Sequence, residues 1–436
     1  MSLKENLLAA FPTISSEKES DDFKEIRKTA IKGFEEKGFP TRKMEAWKYT
    51  SLNPLLREEY KLDLQAKEID TEKIKSYFLP NADTYKVVFV NGVLQKELST
   101  LVTEEGFTIN TLAQAKKEEG QKQIVAKHYN QIAEKESMAH LNTAFSKDGV
   151  FIYVKRSVVV DKPIELFNFA TGGEEALLLQ PRNLVVAEAN SQVQIIERHQ
   201  NLTENATFTN VVTEVYNSKD AMVDIYKIQA NTENASMVDG TYFHQEERTT
   251  GSVHTFALGG NIVRNNLEFY QHGSHSNSIL KGITVLENRE HVDHHTLVHH
   301  TQPNCESHQD YKGIFSDRST GIFNGKILVD KIAQKLSAYQ QNNNVVVDDR
   351  ATVNSKPQLE IYADDVRCSH GCTIGQLPDE SMFYLRTRGI PKKEAEAVLM
   401  FAFANTVLES VRIPALKEEV MRLIANKLDA EINIEI

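Results

Sequence analysis

Tryptophan occurs once in 436 residues and cysteine three times. An odd, low cysteine count without framework spacing excludes a disulfide-stapled secreted fold and points to a reducing compartment. Basic charge is also short. Fifty Lys and Arg face 61 Asp and Glu, for a net charge of -11. Without a basic excess, a generic nucleic-acid binder is excluded, and so is adsorption to an anionic membrane surface. No apolar run approaches the ~20 residues that a membrane span needs. The N-terminal MSLKENLLAAFPT carries a charge pair within its apolar part and lacks a signal-peptide layout, so the expected location is the cytoplasm.

Several catalytic signatures are missing as well. GIFNGKI at 321–327 is one residue short of a phosphate loop and lacks the Ser or Thr that would hold magnesium. There is no GxGxxG after a strand, no GxSxG elbow and no HExxH on a helix. The chain is expected not to be an enzyme.

What is present divides into three parts. Residues 1–149 are mainly helical in pattern. Phe23, Ile26, Ala30, Ile31 and Phe34 recur at three- and four-residue steps, and Gly38 and Pro40 end that helix. Asn91-Gly92, between β runs at 85–90 and 93–98, reads as a hairpin turn, because both positions need positive φ. Helical pattern returns at 111–140. The lone Trp47 is expected to be packed in a core.

Residues 150–377 read as β almost throughout, in short runs separated by Asn, Gly, Ser and Asp turns. This suits a sandwich or a stacked solenoid. Residues 378–436 are helical: 379–388 ending at Gly389, a helix from Pro391 to Val411, and one from Pro414 to Leu428 ahead of an acidic tail. The middle helix is apolar on nearly its whole circumference, which predicts burial against its own domain or a partner.

Two stretches carry candidate chemistry. In LEIYADDVRCSHGCTIGQL at 359–377, alternation predicts a half-buried strand. If it runs on, Cys368, His370 and Cys372 share one face. Two thiols and an imidazole suit a soft or borderline metal, whereas core filling by cysteine, or a bulge at Gly371, reads the same residues as structural. The second stretch lies in a region holding ten of the fourteen histidines, His244 to His308. In HVDHHTLVHH at 291–300, His291, His295 and His299 share one face and His294 and His300 the other. A hydrogen-bonded ladder on a solvated face is the preferred reading, against a metal or redox site. Cys305, in QPNCESHQ, reads as a free thiol in a turn.

DDVRCSHGCTIGQL at 364–377, followed by FYLRTRGI and an Ala-rich helix, resembles the C-terminal part of SufD-type chains in the SufB/SufD family of the SUF iron–sulfur cluster assembly machine. MEAWKYTSLNPLL at 44–56 and KILVDKIAQKLSAYQQNNNVVVDD at 326–349 agree, so the resemblance spans almost the whole chain in order. It implies a right-handed parallel β-helix between N-terminal and C-terminal helical domains. It implies a non-enzymatic scaffold that meets a SufB-like paralogue at the β-helix edge and docks a SufC-like ABC ATPase on its C-terminal helices. A homodimer in isolation is also compatible. Iron or a nascent iron–sulfur cluster would be held transiently in the complex and not tightly by the isolated chain. His370 is the first candidate ligand, Cys368 the second and Cys372 the weakest. The alternatives from other classes are a β-helix carbohydrate-active enzyme and a stand-alone His-rich metal-binding protein. Against the first, Asp348–Asp349 and Asp364–Asp365 are adjacent pairs that, in strands, would point to opposite faces.

Overall fold

The computed structural model describes residues 2–14, 20–62, 69–133, 136–172 and 175–429. The acidic tail lies outside them. Its centre is a parallel β-solenoid of about eight coils over residues 151–375, flanked by N-terminal and C-terminal helices. Each coil gives one strand to each of two sheets. The first sheet holds Val150–Val154, Arg182–Ala187, Thr207–Asn217, Ala235–Gln245, Ile262–Gln271, His291–His300, Thr320–Val329 and Thr352–Ile361. The second holds Ile164–Ala170, Gln192–Asn201, Met222–Ala230, Thr250–Gly259, Asn277–Leu286, Glu306–Phe315, Leu336–Val346 and Val366–Gly375. Coils are counted 1 to 8 in that order.

The turns between strands use the residues that tolerate a left-handed backbone. Asn190, Asp220, Asn288, Asn304 and Asp317 all have φ between 54° and 62°. The Asn, Asp and Ser clusters that separate the β runs in the sequence are therefore the solenoid's corners.

Because strand side chains alternate, every coil sends one row inward and one outward. The inward row of coils 1 to 4 carries an apolar core beside a polar stretch. Ile152, Leu166, Val185, Ile195, Val215, Ile225, Phe243 and Val253 join one buried cluster. The outer face of the first sheet is covered by N-terminal segments, including Asp21–Lys37 and Ser137–Phe145, through Phe34, Leu141, Phe208 and Ile262. The outer face of the second sheet is covered by Lys392–Leu408 and Pro414–Lys427, through Tyr226, Phe256, Ile283, Leu408, Leu416 and Ile424.

The two ends of the solenoid differ. At coil 1, Tyr85–Val90 extends the second sheet in parallel, and Phe107–Thr111 extends the first sheet antiparallel. Phe89 and Ile109 thereby close the interior. At coil 8 both strands are sheet edges, and neither contains a fully buried residue.

Several expectations are met. The hairpin forms at Asn91 (φ 51°) and Gly92 (φ 75°), and Gly38 (φ 64°) caps the helix Asp21–Lys37. Trp47 is buried, with the Arg264 guanidinium 4.3 Å from its ring centroid. Others are corrected. The helical stretch 111–140 is three short helices, Leu112–Ala115, Glu119–His128 and Ser137–Phe145. The helix from Pro391 ends at Leu408 and is not buried all round. Ala395, Ala397, Ala404, Val407 and Leu408 are inside, whereas Val398 is 42% exposed. The strand read across 359–372 is two strands in different sheets, Thr352–Ile361 and Val366–Gly375, with a corner at 362–365. The Asp pairs sit in corners, where Asp348 accepts the Asp317 N–H at 2.7 Å.

Candidate functional site at the open end

Strand Val366–Gly375 pairs in parallel register with Leu336–Val346. Ala338 lies opposite Cys368, Gln340 opposite His370 and Asn342 opposite Cys372. Residues opposite each other in a parallel ladder share a face. Ala338, Gln340 and Asn342 are buried at 0%, 2% and 3% exposure, in the interior between the sheets. Cys368, His370 and Cys372 therefore form the inward row of coil 8, open because no ninth coil covers it among the described residues. The register runs unbroken through Gly371, so that glycine does not bulge the strand.

The three side chains meet different surroundings. Cys368 packs partly buried against Ile327, Val329, Leu336 and Ala363, and burial pushes its thiol up from the ordinary value. His370 is exposed and makes no hydrogen bond or ion pair among the described residues. Cys372 is exposed. Side chains four apart on one strand are separated by roughly 13 Å at the backbone. Ligands of one metal, at about 2.3 Å for sulfur, cannot lie that far apart. Among the described residues no three His, Cys, Asp or Glu converge closely enough to hold a metal ion. The row can offer one or two ligands, and the remaining ligands would have to come from outside the chain.

The histidine-rich strand divides as its spacing indicates. His291, His295 and His299 point outward. His291 Nε2 lies 2.9 Å from Thr50 Oγ1, His295 Nε2 3.2 Å from Asp293 and His299 Nε2 3.1 Å from Asp330. The segment containing Trp47 docks here. Arg264 bridges the Ala46 carbonyl, at 2.8 Å, and Asp293, at 2.6 Å. Burial works against the Asp293 charge, but Arg264 and His295 outweigh it and hold the carboxyl well below the usual range. The outward row is thus a partnered ladder. The solvated face in the sequence reading is only half of the picture, because His294 and His300 point inward and are buried.

His294 sits between Asn265, at 3.3 Å, and Thr284, at 2.9 Å, and His300 bonds Ser307 at 3.0 Å. Burial holds these rings neutral, lowering His294 to about 4 and His300 to about 3. Cys305 is buried in a corner, its Sγ 3.4 Å from the Gly273 carbonyl, and burial raises its thiol as well.

One interior feature had no single sequence signal. Lys227 lies between Glu197, at 2.9 Å, and Asp239, at 2.6 Å, and His199 reaches Glu197 at 2.7 Å. Burial opposes the Glu197 charge, yet Lys227 and His199 overcome it and bring the carboxyl to about 2. These residues sit on different coils, and only the register brings them together.

At the C-terminal side, helix Asp379–Thr387 contains no buried residue; Phe383 is 72% and Tyr384 57% exposed. Leu377, Met382, Phe383, Arg386 and Lys392 line a cleft of 630 Å³ there. No helix among the described residues is long and apolar enough to cross a membrane.

Residues 169–403 match the family described as SUF system FeS cluster assembly, SufBD core domain, and residues 5–166 match the SufBD protein N-terminal region. The iron–sulfur cluster assembly protein SufD of Escherichia coli is 30% identical over 395 residues, 90% of each chain. An iron–sulfur cluster assembly SufBD family protein of Synechocystis is 29% identical over 393 residues, 87% of this chain and 85% of its own. SufD of Bacillus subtilis is 26% identical over 297 residues, 66% of each chain.

Proposed function

The chain belongs to the SufBD family of SUF-system iron–sulfur cluster assembly proteins, and on that premise we propose that it is a SufD-type scaffold, itself non-catalytic, in a cytoplasmic complex with a SufB-like paralogue and a SufC-like ABC ATPase. One observation carries this reading. The inward row Cys368, His370 and Cys372 lies at an uncapped solenoid end and is too extended to enclose a metal alone. A second solenoid pairing with the two edge strands would cover that row and bring further ligands to it.

Iron or a nascent cluster is the cargo. His370 presents a nitrogen donor to it, which suits iron at a borderline-soft site. Cys368 lies one side-chain step away, but its raised thiol must lose a proton before sulfur can ligate. Cys372 is the third candidate. The exposed Phe383 and Tyr384 face supports docking of the ATPase, because large exposed apolar residues beside a cleft mark an interaction surface. The division into 1–149, 150–377 and 378–436 is kept as three functional regions: a cap, a scaffold and a docking region.

The test is purification of the full tagged chain from its native host. The paralogue and the ATPase are expected with it, and the chain alone is expected to hydrolyse no ATP above background. Recovery of the chain alone, under gentle anaerobic conditions, would contradict the scaffold role.

A further inference from the structure

Resting on that reading of His370, we propose that Gln340 is a positioning residue: its carboxamide oxygen, unpartnered here, takes a hydrogen bond from one nitrogen of the His370 ring when the other nitrogen ligates the cargo metal.

What lies beneath each member of the open row decides this. Under Cys368 is the methyl group of Ala338, which offers no polar contact. Under Cys372 is Asn342, already committed. Its Oδ1 accepts from Ser355 at 2.7 Å and Asn344 at 2.8 Å, and its Nδ2 donates to the Tyr311 carbonyl at 3.3 Å. Under His370 is Gln340, 2% exposed, whose Oε1 is buried and has no partner among the described residues. A buried orphan acceptor is costly, and such groups are rare. Here it lies in register with an imidazole that also lacks a partner.

The carboxamide is held from below. Gln340 Nε2 donates to Gln309 Oε1 at 3.2 Å, and Thr296 Oγ1 donates to the same oxygen at 2.6 Å. These bonds fix which end of the planar amide faces coil 6. They engage Nε2 and leave Oε1 buried without a partner, one strand from His370. Gly325 makes the room: a Cβ there would stand 2.1 Å from Gln340 Nε2. A glutamine with its amide oriented, its volume reserved and its acceptor free is what an imidazole ligand needs beneath it. Metal-bound histidines commonly donate their second N–H to a carbonyl or carboxylate, which sets the tautomer and the ring plane.

The test uses the full chain assembled with its paralogue and ATPase, titrated anaerobically with Co²⁺ alone and read by its ligand-field absorption. Three variants are compared, with melting temperature and complex recovery taken on each. Gln340→Met keeps length and volume but removes the acceptor. It is expected to assemble normally and to weaken Co²⁺ binding by about 10- to 100-fold, the usual cost of losing an outer-shell partner, with a changed ligand-field band. Gln340→Glu retains an acceptor and is expected to hold Co²⁺ at least as tightly as the unaltered complex. If Gln340→Met fails to assemble, Gln340→Glu decides alone, and weak binding by an intact Glu complex overturns the proposal. His370→Ala separates the two levels. If it binds Co²⁺ normally, the reading of His370 itself fails. If it loses binding while Gln340→Met keeps full affinity and an unchanged spectrum, only the role of Gln340 fails.

Discussion

The solenoid has two ends built from the same kind of coil, and the chain treats them in opposite ways. At coil 1 the inward second-sheet residues Ile164 and Leu166 are at most 2% exposed, because Tyr85–Val90 continues that sheet over them, as Phe107–Thr111 continues the first. At coil 8 the corresponding row is Cys368, His370 and Cys372, and nothing among the described residues continues the sheets. Backbone geometry cannot account for the contrast, since the parallel register persists through the last strand. The difference lies in the side chains and in the neighbouring segments. The capped end has apolar residues and spare strands, and the open end has ligand-type residues and then turns away into helices. An uncapped parallel edge is an aggregation hazard unless a partner covers it. Its retention here, lined by donors, is what the proposed function takes as the working end.

The largest expected effect separates the ends by stability. Phe89→Ala, which opens the interior beneath the cap, is expected to cost about 3–5 kcal/mol, whereas Cys372→Ala at the exposed row should stay within about 0.5 kcal/mol. Denaturant midpoints of the two variants check this. Equal losses would mean that coil 8 is packed like coil 1.

The next effect concerns the interior between the ends. Burial lowers His294 to about 4 and His300 to about 3, from 6.5. An unfolded chain takes up these protons well before the folded one does. Stability contributed by the neutral rings is therefore complete above pH 6.5 and declines as pH falls from 6.5 toward 4. The slope is about 1.4 kcal/mol per pH unit for each such group. Urea unfolding between pH 7 and 5 should show this decline, and His294→Gln should make it shallower by about one proton. An unchanged slope would place His294 in water.

The smallest effect on stability belongs to the C-terminal surface. Phe383→Ala is expected to alter the melting temperature only slightly, since the side chain is 72% exposed. It should weaken recovery of the ATPase in pull-downs, and full recovery would move the docking surface elsewhere.

Much of this architecture is legible in the sequence. Runs such as 150–154 and 222–227 carry β-branched residues between Asn and Asp corners, and the hairpin at Asn91-Gly92 needs only local chemistry. The split of HVDHHTLVHH into two faces follows from the two-residue strand period alone. Stacking order is not legible from pattern, because it depends on pairing between coils, and the resemblance supplies it. For the same reason the Glu197–Lys227–Asp239 group and the Gln340–Gln309–Thr296 chain stay hidden. Each is assembled across coils from single polar residues that look like ordinary strand positions. The corner at 362–365 is masked because Ala363 continues the apolar alternation. It is buried at 8% exposure in the corner itself, so its pattern imitates a strand. The exposure of helix Asp379–Thr387 is hidden because its apolar residues read the same in sequence whether covered or not.

The central claim is that the open row works through His370 on a metal shared with another chain. Its most direct measurement is complementation of a strain that depends on this pathway by His370→Ala, with melting temperature and complex recovery taken on the same variant. The expected result is a protein that folds, assembles with its paralogue and ATPase, and fails to support cluster formation, with Cys368→Ser milder. Full complementation by His370→Ala would contradict the account and return residues 368–372 to packing alone.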